Sequence, residues 1–346
     1  MVSRLEREMR EQGADLARRE DAGWADARIA AELIGADDVD YVLVAARGSS
    51  DNAARYGQYL LGAEAGIVVA LATPWLFGEG RRPPRLARAA VLAISQSGRS
   101  PDVAAVLAAA RDQRRPALAI TNDPTSPVAS LADVVVELRV PPERSVAATK
   151  TYVASLHALA QITALVAGRT DWRESLRRLP AIVSQAVESQ LENRERFDLL
   201  ADFAPVTAVG RGLDYATAFE TALKVRELTG RPAEAFSPPD LVHGPIASTD
   251  ASTSLWAVSS GTNASSETLK VIRRLAASVG LTTAVSADPR ILDLADIRIP
   301  LPTALPPWAG PIVAIVPGQA ASLRLAELRG VDVDSPPGLN KVTMTR

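Results

Sequence analysis

One strand–turn–helix pattern occurs twice in this chain, about 164 residues apart, and that repeat constrains the fold more than any other feature. VDYVLVAARGSSDNAARYGQYLLG (39–62) reads as strand, turn and helix, and PVTAVGRGLDYATAFETALKVREL (205–228) reads the same way. RAAVLAISQSGRSPDVAAVLAAARDQR (88–114) returns as LWAVSSGTNASSETLKVIRRLAASVG (255–280), PALAITND as LTTAVSADP, and DVVVELRV as DIRIPLP. The offsets agree closely: Gly48 to Gly212 is 164, Gly98 to Gly261 is 163, Asp123 to Asp288 is 165, and Asp133 to Asp296 is 163. Two tandem copies of one α/β unit are expected. Strand–helix alternation within each copy implies a parallel sheet covered by helices. The expected architecture is therefore doubly wound, a flavodoxin-like three-layer α/β/α arrangement in each copy. The expected boundaries are a helical segment at 1–35, a first domain at 36–170, a helical connector at 171–203, a second domain at 204–330 and a tail at 331–346. Gly13 and Gly23 are weak points in the first helical segment.

Composition narrows the function. With 346 residues, 47% hydrophobic and 23% charged, the chain reads as globular. A net charge of −2 and the lack of a basic cluster argue against a nucleic-acid or membrane surface. The absence of cysteine removes disulfides, thiolate zinc sites and a cysteine nucleophile. With two histidines, His157 and His243, a histidine-rich metal site is not expected. The N-terminal MVSRLEREMREQ lacks the apolar core of a signal peptide, and no run reaches membrane-span length. A cytoplasmic setting is expected.

The stretch VLAISQSGRSPDV (91–103) ends a buried strand in hydroxyls where a helix begins. In a parallel sheet, ligands bind at the carboxyl ends of the strands. A helix starting there offers free N–H groups and a positive dipole end to an anion. Ser95, Gln96, Ser97 and Ser100 around Gly98, with Ser50 in the neighbouring GSS turn, read as a phosphate cradle. A plain helix cap by Ser97 or Ser100 is the competing reading. Neither a P-loop nor a dinucleotide fingerprint is present. The second copy keeps Ser259, Ser260, Gly261 and Thr262, and reads as a relic of duplication more than as a second site.

These motifs together resemble the sugar isomerase (SIS) family of sugar-phosphate-binding domains. Within it, they resemble the isomerase half of the glucosamine-6-phosphate synthases and the stand-alone amino-sugar-phosphate deaminases built from that half. The similarity runs from EMREQGADL through RGSS, SQSGRS and VAATKTYVASL to ETALKVRELTGRPAEAF, LVHGPIA and LNKVTM. It implies two tandem SIS domains and a hexose 6-phosphate held by Ser95, Gln96, Ser97 and Ser100, with Ser50 adjacent. It implies a base at Glu227 and its lysine at Lys224. It implies that His243 opens the sugar ring and is donated across a homodimer interface, and that Lys341 engages the open-chain carbonyl. Glu220 is grouped with the binding residues. Ala148 stands where the family often has a serine, which puts one sugar-hydroxyl contact in doubt. The turn continues with Arg99 and Ser100, a form similar to deaminase-like members. The glutaminase half needs a cysteine nucleophile and the chain has none, so glutamine-dependent synthesis by this polypeptide alone is not expected.

The residues themselves allow blander readings. Glu220, Lys224 and Glu227 share one helix face, and such a set on an average helix is a solvated ion-pair stripe. The location after the GRG turn, together with the resemblance, favours Glu227 as a base that moves a proton between C1 and C2. His243, between prolines and beside a glycine, reads as a loop residue suited to proton shuttling. His157 lies on an apolar helical pattern and reads as structural. Lys341 would read as a solvated tail residue without the resemblance, which makes it a Schiff-base former or a carbonyl-polarising charge. The expected reaction is deamination of glucosamine 6-phosphate to fructose 6-phosphate and ammonia, with no metal or redox cofactor. The alternatives are an isomerase or deglycase acting on galactosamine 6-phosphate or a fructosamine 6-phosphate, and a non-catalytic sugar-phosphate sensor. A sensor of the DNA-binding kind would need a domain that the residues before the first strand are too few to form.

Overall fold

A computed structural model describes residues 2–261, 263–264 and 266–341. The chain divides into two compact units. One is built from Gln12–Arg144, Lys150–Pro180 and the chain from Asn340, the other from the chain up to Glu11, Ser145–Thr149 and Ala181–Leu339. Both draw on pieces distant in sequence.

Two helices, α1 (Arg4–Ala22) and α2 (Trp24–Ile34), precede the first sheet and part at Gly23. β1 (Tyr41–Ala46), α3 (Ser49–Ala65), β2 (Val68–Leu71), β3 (Ala89–Ile94), α4 (Pro101–Asp112), β4 (Ala117–Thr121), α5 (Pro127–Ser130) and β5 (Val134–Glu137) follow, then α6 (Lys150–Val166). The five strands are parallel in the order β2-β1-β3-β4-β5. β3 and β4 are buried at every residue, which is why AAVLAI and ALAIT are continuous apolar runs rather than alternating ones. α4 packs on β3, while α2 and α3 pack on α6. Every residue of α6 from Lys150 to Ala164 is buried.

After α7 (Trp172–Glu192) the second sheet begins. It holds β6 (Val206–Val209), α8 (Leu213–Thr229), β7 (Ala233–Phe236), α9 (Pro238–Val242), β8 (Ser254–Ser259), α10 (Ser266–Ala276), β9 (Leu281–Ser286), α11 (Pro289–Leu292), β10 (Ile297–Pro300) and α12 (Gly310–Leu328). Its strands are also parallel, in the order β10-β9-β8-β6-β7. Counted from the first strand of each sheet, both orders are 2-1-3-4-5, so the repeat seen in sequence is a repeat of topology. α8 packs on α12 and on β6, β7 and β8. Gly318 permits the close approach of α12, since a side chain there would press on Thr221 of α8. Among the described residues no helix is long and apolar enough to cross a membrane.

Candidate active site

In a sheet of order 2-1-3-4-5 the chain leaves strands 1 and 3 in opposite directions, which opens a crevice between their carboxyl ends. Ala46 of β1 pairs with Ile94 of β3, so the turn carrying Ser50 lies beside the turn carrying Ser95–Ser100. The Arg47 guanidinium donates to the Asp102 carboxylate at 2.7 Å and links the two turns. Ser95 is buried and its hydroxyl accepts the Gly98 N–H at 3.2 Å, so it shapes the turn. The Ser97 hydroxyl accepts the Arg99 N–H at 3.3 Å. Ser100 is the N-cap of α4, yet its hydroxyl makes no capping bond. A cap is therefore not what Ser100 supplies. Gln96, Ser97, Ser100 and Ser50 are all half-exposed. Gly98 has φ of +62°, and a side chain there would collide with the hydroxyl of Ser126. The turn is held close over α5 as a result.

The matching crevice of the second sheet has a different chemistry. A cavity of about 220 Å³ is lined there by Arg211, Asp214, Ser259, Ser260 and Asn263, among others. Thr262 lies outside the described residues. The offset of 164 puts Asp214 where the first copy has Ser50. Asp214 is buried, which raises its carboxyl above the ordinary carboxylate range, and its Oδ2 accepts the Ser260 N–H at 2.9 Å. An acid in place of a hydroxyl works against a phosphate dianion.

The helix α8 carries a cluster of three ionisable side chains. Its 3.6-residue period stacks Glu220, Lys224 and Glu227 on one face. The face is not a solvated stripe. The side chains of Glu220 and Lys224 are 0% and 1% exposed, and that of Glu227 is 24% exposed. Lys224 Nζ lies 3.3 Å from Glu220 Oε1 and also donates to Glu227 Oε2. One ammonium thus serves two carboxylates, one sealed in the core and one reaching its edge. Glu227 lines a cavity of about 320 Å³, bordered by Arg226, Gly230, Val331, Pro337 and Leu339. Residues 331–339 therefore close one wall of the space that Glu227 faces.

His243 is exposed just after α9, with its N–H donating to the carbonyls of Pro239 and Asp240 at 3.3 Å. Ala148 is half-buried in the loop before α6. His157 is fully buried in α6 with its Nε2 3.2 Å from Glu20 Oε2, and burial lowers its pKa. It makes a core contact. Lys341 Nζ donates to Glu143 Oε2 at 2.7 Å, and Glu143 is a residue the sequence reading passed over. Its only sequence signal is an acid in the loop just before a helix. Within its own unit, the structure brings together Ser50 with the Ser95–Ser100 turn in one case, and Glu220, Lys224 and Glu227 in the other.

Residues 38–165 match the family model described as SIS domain. The chain thus carries an SIS domain over those residues and is similar to the SIS-domain proteins along most of its length. It is 31% identical over 321 residues to a glutamine–fructose-6-phosphate aminotransferase (isomerizing) of Gloeobacter violaceus, a match over 88% of this chain and 52% of that one. The chain thus spans about half the length of the curated relatives it matches. The solved C-terminal domain of glucosamine-fructose-6-phosphate aminotransferase from Francisella tularensis superposes with a TM-score of 0.86 and 25% identity, over 97% of this chain and 99% of that one. A glucosamine-6-phosphate deaminase from Thermotoga maritima shares the fold, with a TM-score of 0.79 and 20% identity over 99% of this chain and 100% of that one.

Proposed function

We propose that this SIS-domain chain is an amino-sugar-phosphate deaminase, converting glucosamine 6-phosphate and water to fructose 6-phosphate and ammonia. The observation that carries the reading is Glu227: a carboxylate at a cavity edge, held by a buried lysine that a second, fully buried carboxylate also binds. The similarity to isomerising aminotransferases supports the same chemistry. Ser50, Gln96, Ser97 and Ser100 hold the phosphate, with Ser95 shaping their turn. His243 moves a proton between the ring oxygen and O1 and opens the ring, acting from the partner copy of a homodimer. Lys341 engages the C1 carbonyl and makes the C2 proton more acidic. Glu227 takes that proton and returns it at C1 while O1 gains a proton and the amine nitrogen gives one up, which leaves a C1 alcohol and an imine at C2. Water adds to the imine carbon, and ammonia leaves as the ketone forms. Glu220 and Lys224 act through Glu227 by fixing its place and charge.

The test is ammonia release by the purified protein from glucosamine 6-phosphate, set beside galactosamine 6-phosphate and a fructosamine 6-phosphate. Release from the first at turnover above the other two is the expected result. Tight binding of hexose phosphates without turnover would instead make the chain a sensor. Ser97→Ala should raise KM about tenfold or more with little change in kcat, the cost of one hydrogen bond to a charged group. Initial-rate kinetics check this, and an unchanged KM removes Ser97 from the phosphate handle.

A further inference from the structure

We propose that Glu143 is the positioning residue for Lys341, acting as the fixed counter-ion that holds its amine in place. The proposal rests on the reading above, in which Lys341 acts on the carbonyl. Glu143 lies in the loop between β5 and α6, and its side chain is 0% exposed. Its Oε2 accepts from Lys341 Nζ at 2.7 Å and from Thr151 Oγ1 at 2.6 Å. Its Oε1 accepts the Thr151 N–H at 3.2 Å. The two bonds from Thr151 tie the carboxylate to the first turn of α6, where the helix dipole favours a negative charge. The acid is therefore fixed by groups other than the lysine. Lys341 is set less firmly by its own backbone: it follows an irregular segment from Val331, and its side chain has four rotatable bonds. A buried carboxylate fixed in advance places the amine that an irregular backbone does not.

Residue usage points the same way. Four of the 38 basic residues are lysine: Lys150, Lys224, Lys270 and Lys341. Among the described residues arginine makes many ion pairs, such as Arg324 with Asp198 and Arg290 with Asp288, as its rigid fork suits them. Lysine at 341 is thus a choice of a compact amine against a general preference for arginine.

Capping α6 is a purely structural role for Glu143, and the experiment separates the two. Glu143→Gln keeps one acceptor oxygen for the Thr151 N–H and an NH2 that can donate to the Thr151 hydroxyl, but loses the charge that binds Lys341. The first readout is acetylation of Lys341 by acetic anhydride, followed by peptide mass spectrometry with exposed Lys270 as internal reference. An amine engaged by a buried carboxylate must leave it before it can attack the reagent, so the Lys341/Lys270 rate ratio should rise about tenfold in Glu143→Gln. An unchanged ratio overturns the proposal. The second readout is kinetic: Glu143→Gln should lower kcat about tenfold to a hundredfold with KM within about threefold, as misplacement of a reacting group does. In a Lys341→Met background it should cost nothing more, because both changes remove one interaction. Effects that multiply would assign Glu143 to capping alone. If Glu143→Gln does not fold, Glu143→Asp, which keeps the charge but withdraws it by one methylene, should show a smaller rise in the same ratio. If the wild-type protein releases no ammonia, the functional reading fails, while the acetylation ratio still decides the role of Glu143.

Discussion

Glu227→Gln is expected to lower kcat for ammonia release by about 10³-fold and to leave KM within about threefold of wild type. The reason is geometric as well as chemical. Glutamine has the size of glutamate and keeps an acceptor oxygen for the Lys224 ammonium, so α8 and its cavity wall should stand. What it cannot do is accept a proton from carbon. The loss should therefore fall on the step between C2 and C1 and not on binding, which the proposed reading assigns to the serine turn. Running the reaction in deuterium oxide gives a second check, since wild type should place deuterium at C1 of the product and the variant should do so at the same reduced rate. Retention of wild-type kcat in Glu227→Gln would falsify the assignment of the base.

Lys224→Met should destabilise the protein by about 3–5 kcal/mol, the largest stability change expected from a single substitution on α8. Methionine fills nearly the same volume, so the loss comes from charge. Without the ammonium, the Glu220 carboxylate, 0% exposed, remains in the core without its nearest cation, 3.3 Å away in the native protein. Urea unfolding followed by circular dichroism measures the effect. The double change Lys224→Met with Glu220→Gln should recover much of the loss, because removing both charges of a buried pair costs far less than removing one. A single-variant loss below about 1 kcal/mol would place the pair in an environment as forgiving as a surface salt bridge. Stability and activity should also part company: the double variant should fold well and still turn over poorly, since Glu227 has lost the cation that holds it.

Much of this was legible before the structure. The 164-residue offset predicted two copies of one unit, and both sheets have the same strand order. Periodicity placed Glu220, Lys224 and Glu227 on one face, and they are bonded there. The hydroxyl cluster at the end of β3 lies at the crevice beside Ser50, where the register of β1 and β3 puts it. Other features were not legible for identifiable reasons. An E-x-x-x-K-x-x-E pattern is the same whether a helix face meets water or another helix. Asp214 in sequence is one more acid in the first turn of a helix, and only its burial and its bond to Ser260 show it at the place of Ser50. Glu143 and Lys341 stand 198 residues apart, and no local pattern joins them.

Local rules act over one or two turns of chain, so the sequence by itself determined the elements, their repetition, the turn chemistry and the face each side chain takes. Burial and long-range pairing depend on what arrives from elsewhere in the chain, so only the tertiary structure decided them. α12 closes on α8 at Gly318, and Lys224 of α8 is a core ion instead of a surface one. The return of the chain to α6 gives Lys341 its carboxylate. In both cases the deciding quantity is the loss of water around a charge, which follows from packing and cannot be read from the spacing of residues.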